Sequence, residues 1–430
     1  MLRAAFLGCA LILPALFAPA LPGRFVAGNV QISLGHDCRH ICHGVSRSIS
    51  PTTQVFSPDI AHWVNSSSQI SACSARPGTA EDLGSIVREL GLTRTPFAIK
   101  GSGHNANPGF SSTPGVHISM ARFRDIVLNE EEGTVEIGAG LTWTDVYSYL
   151  VPEGLNVVGG RMDGVGVSGF TLGGGYSWKT NQYGLTIDTV TAFELVLPNG
   201  HVRKVTEEDE DLWFALRGIV TKYTLKTHKQ TDVWGAVLDF KGDQIEPAYT
   251  AFARWLFVDH DHKGAQMGAI TYSKGTVGFQ LVLFYDGPEP PSCLYVVKAT
   301  IDDVKTLGDK LGEKDEDALI VFNLGAIESD IFTHGGPSVY PPDPSRTILP
   351  SSVFVEWNDE SLDKDGLSAS ISKAGIYDGQ DLKHAAHYTN LALYGTPLEM
   401  MYGKKVKRLR EINKKYDPFR VMDLTGGFRL

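Results

Sequence analysis

Beyond its first twenty residues the 430-residue chain holds no apolar run long enough to cross a bilayer, so no membrane span is expected in the mature chain. Positive charge is in short supply: 39 Lys and Arg stand against 49 Asp and Glu, a formal charge of −10, and no long basic run gathers the cations. Nucleic acid is therefore not an expected partner, because neutralising phosphates takes clustered cationic side chains. Cysteine is scarce, with five in the whole chain. No glycine-rich stretch runs into the Lys-Ser/Thr of a P-loop or makes a sound nicotinamide fingerprint, and GVSGF does not have the spacing of a nucleophile elbow. A secreted hydrolase is thus left without its nucleophile motif.

Residues 1–20, MLRAAFLGCALILPALFAPA, carry Arg3 ahead of an apolar run and end on small residues, the pattern of a cleavable secretory signal. Its removal takes Cys9 and leaves Cys38, Cys42, Cys73 and Cys293, an even number in an oxidising compartment, whose pairing sequence does not choose. GHDCRHICHG, with His36, His40 and His43 among its cysteines, also resembles a soft-metal cluster, although its spacing matches no zinc pattern. Asp259-His260-Asp261-His262 reads more simply as a solvated turn than as a metal site. No metal is expected. Asn65-Ser66-Ser67 is a glycosylation sequon in a secreted chain.

After an N-terminal segment of 21–65, Leu83, Ile86, Val87 and Leu90 recur at helical spacing, and 96–100 reads as a strand entering a glycine loop. This is a β-α-β unit with the loop after its second strand. Residues 134–138 read as a strand, Thr142 caps a helix running to Leu150, and Pro198-Asn199-Gly200 turns a hairpin. A mixed domain of 66–230 follows from these elements. Residues 231–385, with long strand-like runs between Pro-rich joints, read as a second domain, and 386–430 end on a helix with Val406, Leu409 and Ile412 on its inner face.

Two loops are rich in glycine: KGSGHNANPGF (100–110) and GGRMDGVGVSGFTLGGGYSW (159–178), the second being the densest such segment in the chain. Main-chain N–H groups in tight turns bind phosphate without a cationic side chain, which suits a dinucleotide in an acidic protein. With ELVLPNG, DLWFALRG and the C-terminal YTN followed by KKYDP, in this order and spacing, the loops resemble those of the berberine bridge enzyme-like flavin oxidases, within the wider vanillyl-alcohol oxidase fold. The resemblance covers most of 66–230 and the last 45 residues. It implies an α+β fold: a two-part FAD-binding domain of vanillyl-alcohol oxidase type, plus a substrate domain with an antiparallel sheet covered by helices.

The resemblance also implies site residues. His104 falls where the family's loop histidine bonds through a ring nitrogen to the 8α-methyl of FAD. Lys100, Gly101, Ser102, Gly103, Asn105 and Gly109 line the cofactor from the first loop. Gly164, Val165, Gly166, Gly169, Gly173, Gly174, Gly175 and Tyr176 line it from the second, and Ile219 and Val220 from the strand that follows. Some relatives add a cysteine bond where this chain has Met162, so any attachment here is through His104 alone. Val165 falls where a small aliphatic residue opens the flavin to oxygen, and Phe170 stands where many members place a polar group. Tyr388 and Asn390 match the family's Tyr-x-Asn, with the tyrosine as base and the asparagine orienting it.

One stretch departs from the pattern: relatives continue from Leu-Arg into a glycine-rich loop, whereas Arg217-Gly218 here runs directly into Ile219-Val220. The omission predicts an opened flavin site, a shifted strand or an error at a splice boundary. The leading reading is a secreted or secretory-lumen FAD oxidase that passes electrons from a small organic substrate (an alcohol, a sugar or a secondary metabolite) to oxygen. Its alternative is a non-catalytic relative that binds flavin or a ligand without turnover.

Overall fold

The computed structural model describes residues 3–7, 30–34, 50–52, 57–257, 261–288, 319–336, 338–340, 351–357 and 386–430. Cys38, Cys42, Cys293, His36, His40, His43, Asp259 and His260 lie outside them, so the disulfide and soft-metal readings do too. The chain divides into two compact units. One comprises 11–172, 190–228 and 405–430; the other comprises 1–10, 173–189 and 229–404.

The first unit holds both glycine loops up to Leu172. Its helix Ala80–Thr93 begins at a capping box in which Thr79 and Asp82 exchange hydrogen bonds, and it buries Leu83, Ile86, Val87 and Leu90. Each such side chain contributes about 1.5–3 kcal/mol by leaving water. The strands Cys73–Pro77 and Phe97–Lys100 that flank this helix both pair in parallel with Val116–Ser119, as a β-α-β crossover requires. The helix also meets the hairpin of the second sheet: a Cβ on Gly84 would overlap the Gly200 carbonyl. That sheet is antiparallel, in the order Val202–Val205, Val190–Val196, Ile219–Lys226, Thr134–Gly138, Ile126–Asn129. A second capping box, Thr142 with Asp145, starts the helix Trp143–Leu150. At the C-terminus Val406–Tyr416 buries Val406, Leu409 and Ile412.

The other unit is built on a six-stranded antiparallel sheet. Tyr249, Phe252 and Trp255 of the helix Ile245–Phe257 form a core with Ile270, Tyr272, Phe279, Leu281, Ile320 and Phe322 of the strands. Arg3–Leu7, inside the stretch that the sequence marks as a leader, forms the outer strand against Ser351–Trp357. A leader that is cut off gives up this pairing, and Ser351–Trp357 then becomes the edge. A second cluster gathers Tyr176, Leu185, Ile327, Ile331 and Tyr340, with Tyr388 packed on it.

Candidate functional site

The strand Phe97–Lys100 delivers the chain into the first glycine loop. Gly103 adopts φ 82°, with the Lys100 side chain directly beneath it, so a Cβ there would be both strained and in collision. Lys100 passes beneath the loop, its ammonium donating to the Pro58 carbonyl at 2.8 Å, and burial pulls its pKa down against the attraction of Asp59. His62 pins the neighbouring turn, with Nδ1–H directed at the Ile60 carbonyl (2.9 Å) and Nε2 at the Ser111 hydroxyl (2.8 Å). Burial lowers its pKa, and that of the adjacent His117 falls to about 4 through burial and the nearby Lys100 and His62. The Trp63 N–H donates to the Gly103 carbonyl at 3.0 Å, and its indole stacks on His104. Burial lowers the pKa of His104 below the usual imidazole value, which keeps the ring neutral at neutral pH. A neutral imidazole retains a lone pair on one nitrogen, as bond formation to an electrophile requires.

The second loop is tied to the segment 139–143 and touches the first at Ser102. The Trp143 N–H donates to the Val165 carbonyl at 3.0 Å, and the Val167 N–H to that of Leu141 at 2.9 Å. Ser168 Oγ donates to the Ala139 carbonyl at 2.7 Å, and Gly166 lies so close to Ser102 that a Cβ would press on its hydroxyl. By contrast, a Cβ added to Gly109, Gly164 or Gly169 would meet no atom within 4 Å. Bare main chain therefore borders open space on both loops, an arrangement that fits the phosphates of a dinucleotide. Asn105 is committed locally, its Oδ1 accepting from the Asn107 N–H at 2.8 Å. Phe170 is also engaged, meeting Trp143 edge to face at 5.5 Å.

Gly173, Gly174, Gly175 and Tyr176 belong to the other unit together with Tyr388 and Asn390. The Tyr388 oxygen accepts from the Gly175 N–H (3.0 Å) and from Asn390 Nδ2 (2.9 Å). The rings of Tyr176 and Tyr340 lie 4.7 and 5.8 Å from that of Tyr388, and their two hydroxyls are 3.3 Å apart. Burial pushes the pKa of Tyr340 up to about 12, so it stays protonated. Sequence reasoning missed Tyr340, Trp63 and His62. The first sits in a Pro-rich joint, and the other two precede the expected domain boundary at 66.

The shortened connection is anchored at Arg217. Arg217 pairs with Asp417 (3.0 Å) and Asp423 (3.2 Å), and Gly218, at φ 150°, backs onto the Val196 carbonyl. Ile219 and Val220 follow as buried strand residues opposite Val196 and Leu195, and the register slips at Thr221 and again at Thr191, as at a β-bulge. Elsewhere Asp261 accepts from Tyr285, and His262 pairs with Glu328.

The family model of the FAD binding domain matches residues 71–206. An uncharacterized FAD-linked oxidoreductase of Arthroderma benhamiae is 32% identical over 373 residues, covering 84% of this chain and 74% of that one. The chain belongs to the FAD-linked oxidoreductases. The FAD-dependent monooxygenase macF of Penicillium terrestre is 36% identical over 247 residues, 54% of this chain, and the chain spans 47% of its length. In fold the chain is similar to 6-hydroxy-D-nicotine oxidase from Arthrobacter nicotinovorans, with a TM-score of 0.71 at 16% identity over 86% of this chain and 95% of that one. It is also similar to berberine bridge enzyme from Eschscholzia californica, with a TM-score of 0.61 at 16% identity over 82% and 89%. The fold class that the resemblance implies is the one observed.

Proposed function

We propose that the protein is an oxidase that takes two electrons from an alcohol, a sugar or a secondary metabolite and passes them to oxygen. The observation that carries the reading is the Tyr388 oxygen with two N–H groups aimed at it, since donors directed at an oxygen favour its charged form. When bound, FAD supplies the two-electron chemistry, accepting hydride at N5 and giving the electrons to oxygen as hydrogen peroxide. Tyr388 takes the substrate hydroxyl proton onto its phenolic oxygen, and Asn390 orients that oxygen without reacting. His104 would tether the cofactor through one ring nitrogen, Met162 being unable to form a second bond, while the two glycine loops would receive the pyrophosphate, Gly109, Gly164 and Gly169 being the positions that present bare main chain to open space. Val165 keeps the approach of oxygen open. The leader and the exposed Asn65 support a glycosylated protein of the secretory pathway.

Dithionite tests the oxidase reading without a known substrate. The flavin-loaded protein, reduced anaerobically with one equivalent and mixed with air-saturated buffer, should reoxidise rapidly and release one hydrogen peroxide per flavin. Slow reoxidation overturns it. The relatives described as monooxygenases favour a second reading, in which an atom of labelled dioxygen appears in the product instead.

A further inference from the structure

We infer that Gly173-Gly174-Gly175 is the seat of Tyr388: the Gly175 N–H and the Asn390 carboxamide form a two-donor holder for its phenolate, and Gly173 sets how closely Asn390 approaches. This rests on the reading of Tyr388 as the base and reassigns these glycines from the cofactor to the tyrosine.

Every side chain of Tyr388-Thr389-Asn390 engages the glycine turn. The Tyr388 oxygen accepts from the Gly175 N–H at 3.0 Å, and Thr389 Oγ1 donates to the Gly173 carbonyl at 3.0 Å. Asn390 fills the place of a Gly173 side chain, so that a Cβ there would overlap its carboxamide. From that position Asn390 Nδ2 reaches the Tyr388 oxygen at 2.9 Å. Gly174 and Gly175 adopt φ 108° and 87°, the left-handed backbone that turns the Gly175 N–H toward the tyrosine. Gly174 itself passes 3.5 Å from the ring when a Cβ is placed on it. A phosphate cradle presents its N–H groups to open space, whereas here the Gly175 N–H is spent on a phenol oxygen and the remaining room at Gly173 is filled by an amide.

Among the described residues, the rings that meet Tyr388 are the phenols of Tyr176 and Tyr340. Tyr176 meets it ring edge to face and directs its hydroxyl to Tyr340. Tyr340 is held neutral by burial. Leu185 and Ile331 complete the wall of the same cluster. The two N–H donors directed at the Tyr388 oxygen favour its ionised form.

Ultraviolet difference titration tests the inference on the full flavin-loaded chain, with the spectrum of Tyr388→Phe subtracted to isolate one phenolate. Asn390→Ala should move its ionisation up by about one pH unit, the loss of one donor to a charged oxygen. Gly173→Ala should move it as far by displacing Asn390, and Gly173→Ala/Asn390→Ala no farther than Asn390→Ala alone. Wild-type titration in Gly173→Ala, or additive shifts in the double variant, overturns the seat. If Gly173→Ala fails to fold, folding of the double variant with the Asn390→Ala titration supports the contact, and failure of both overturns it. Flavin reduction by a panel of sugars and alcohols reads the base separately: an unchanged rate in Tyr388→Phe removes the base and leaves the seat standing.

Discussion

The indole of Trp63 lies over the imidazole of His104, ring centroids 5.1 Å apart and 16° from parallel. Because the Trp63 N–H also holds the Gly103 carbonyl, one residue fixes both the loop and the plane of the ring it presents. A tether forms only from a ring held in line with the carbon it attacks, so orientation governs its yield.

Trp63→Ala should therefore bind flavin at close to the wild-type level while the covalently held share falls severalfold. Trp63→Phe, which keeps a stacking face, should restore most of it. Acid precipitation followed by flavin absorbance in pellet and supernatant measures both, and an unchanged share in Trp63→Ala removes the tryptophan from the account.

Three histidines, His62 and His117 buried and His104 half-buried, should make the protein acid-sensitive. His62, His104 and His117 all have lowered pKa values in the folded chain, chiefly through burial. The unfolded chain then binds more protons below pH ~6.5, so stability is complete above that value and declines as pH falls toward the folded values. For His117, whose folded value is about 4, the loss amounts to about 3 kcal/mol by pH 4. Denaturant midpoints between pH 7 and pH 4 should fall less steeply in His117→Leu than in wild type; identical slopes contradict this assignment.

Arg217, at the shortened connection, ties it to the C-terminal segment through Asp417 and Asp423. Asp417 is fully buried and accepts from Arg217 and from the Val421 and Met422 N–H groups. Arg217→Ala leaves that carboxylate without its cation and should cost about 3–5 kcal/mol. Thermal unfolding measures the loss. A variant as stable as wild type would show that the C-terminal segment is held by other contacts.

Much of the fold was legible because its signals are local. Leu83, Ile86, Val87 and Leu90 announce their helix, Thr142 announces its cap, and Asn199-Gly200 announces the hairpin, each within a few residues. The site was legible only in part. His104 stands out as an imidazole among glycines, but Trp63 is marked by nothing in its neighbourhood. The partners Tyr388 and Gly175 are 213 residues apart, and only tertiary folding shows that the N–H meets a tyrosine. Arg217 and Asp417, 200 residues apart, were hidden for the same reason.

The central claim, a flavin tethered by His104 in a cradle of bare main chain, is tested most directly by precipitating the purified yellow protein with acid. Wild type should keep its colour in the pellet, and His104→Ala should release it to the supernatant. A chain that is colourless as isolated and takes up no added FAD would contradict the account at its root.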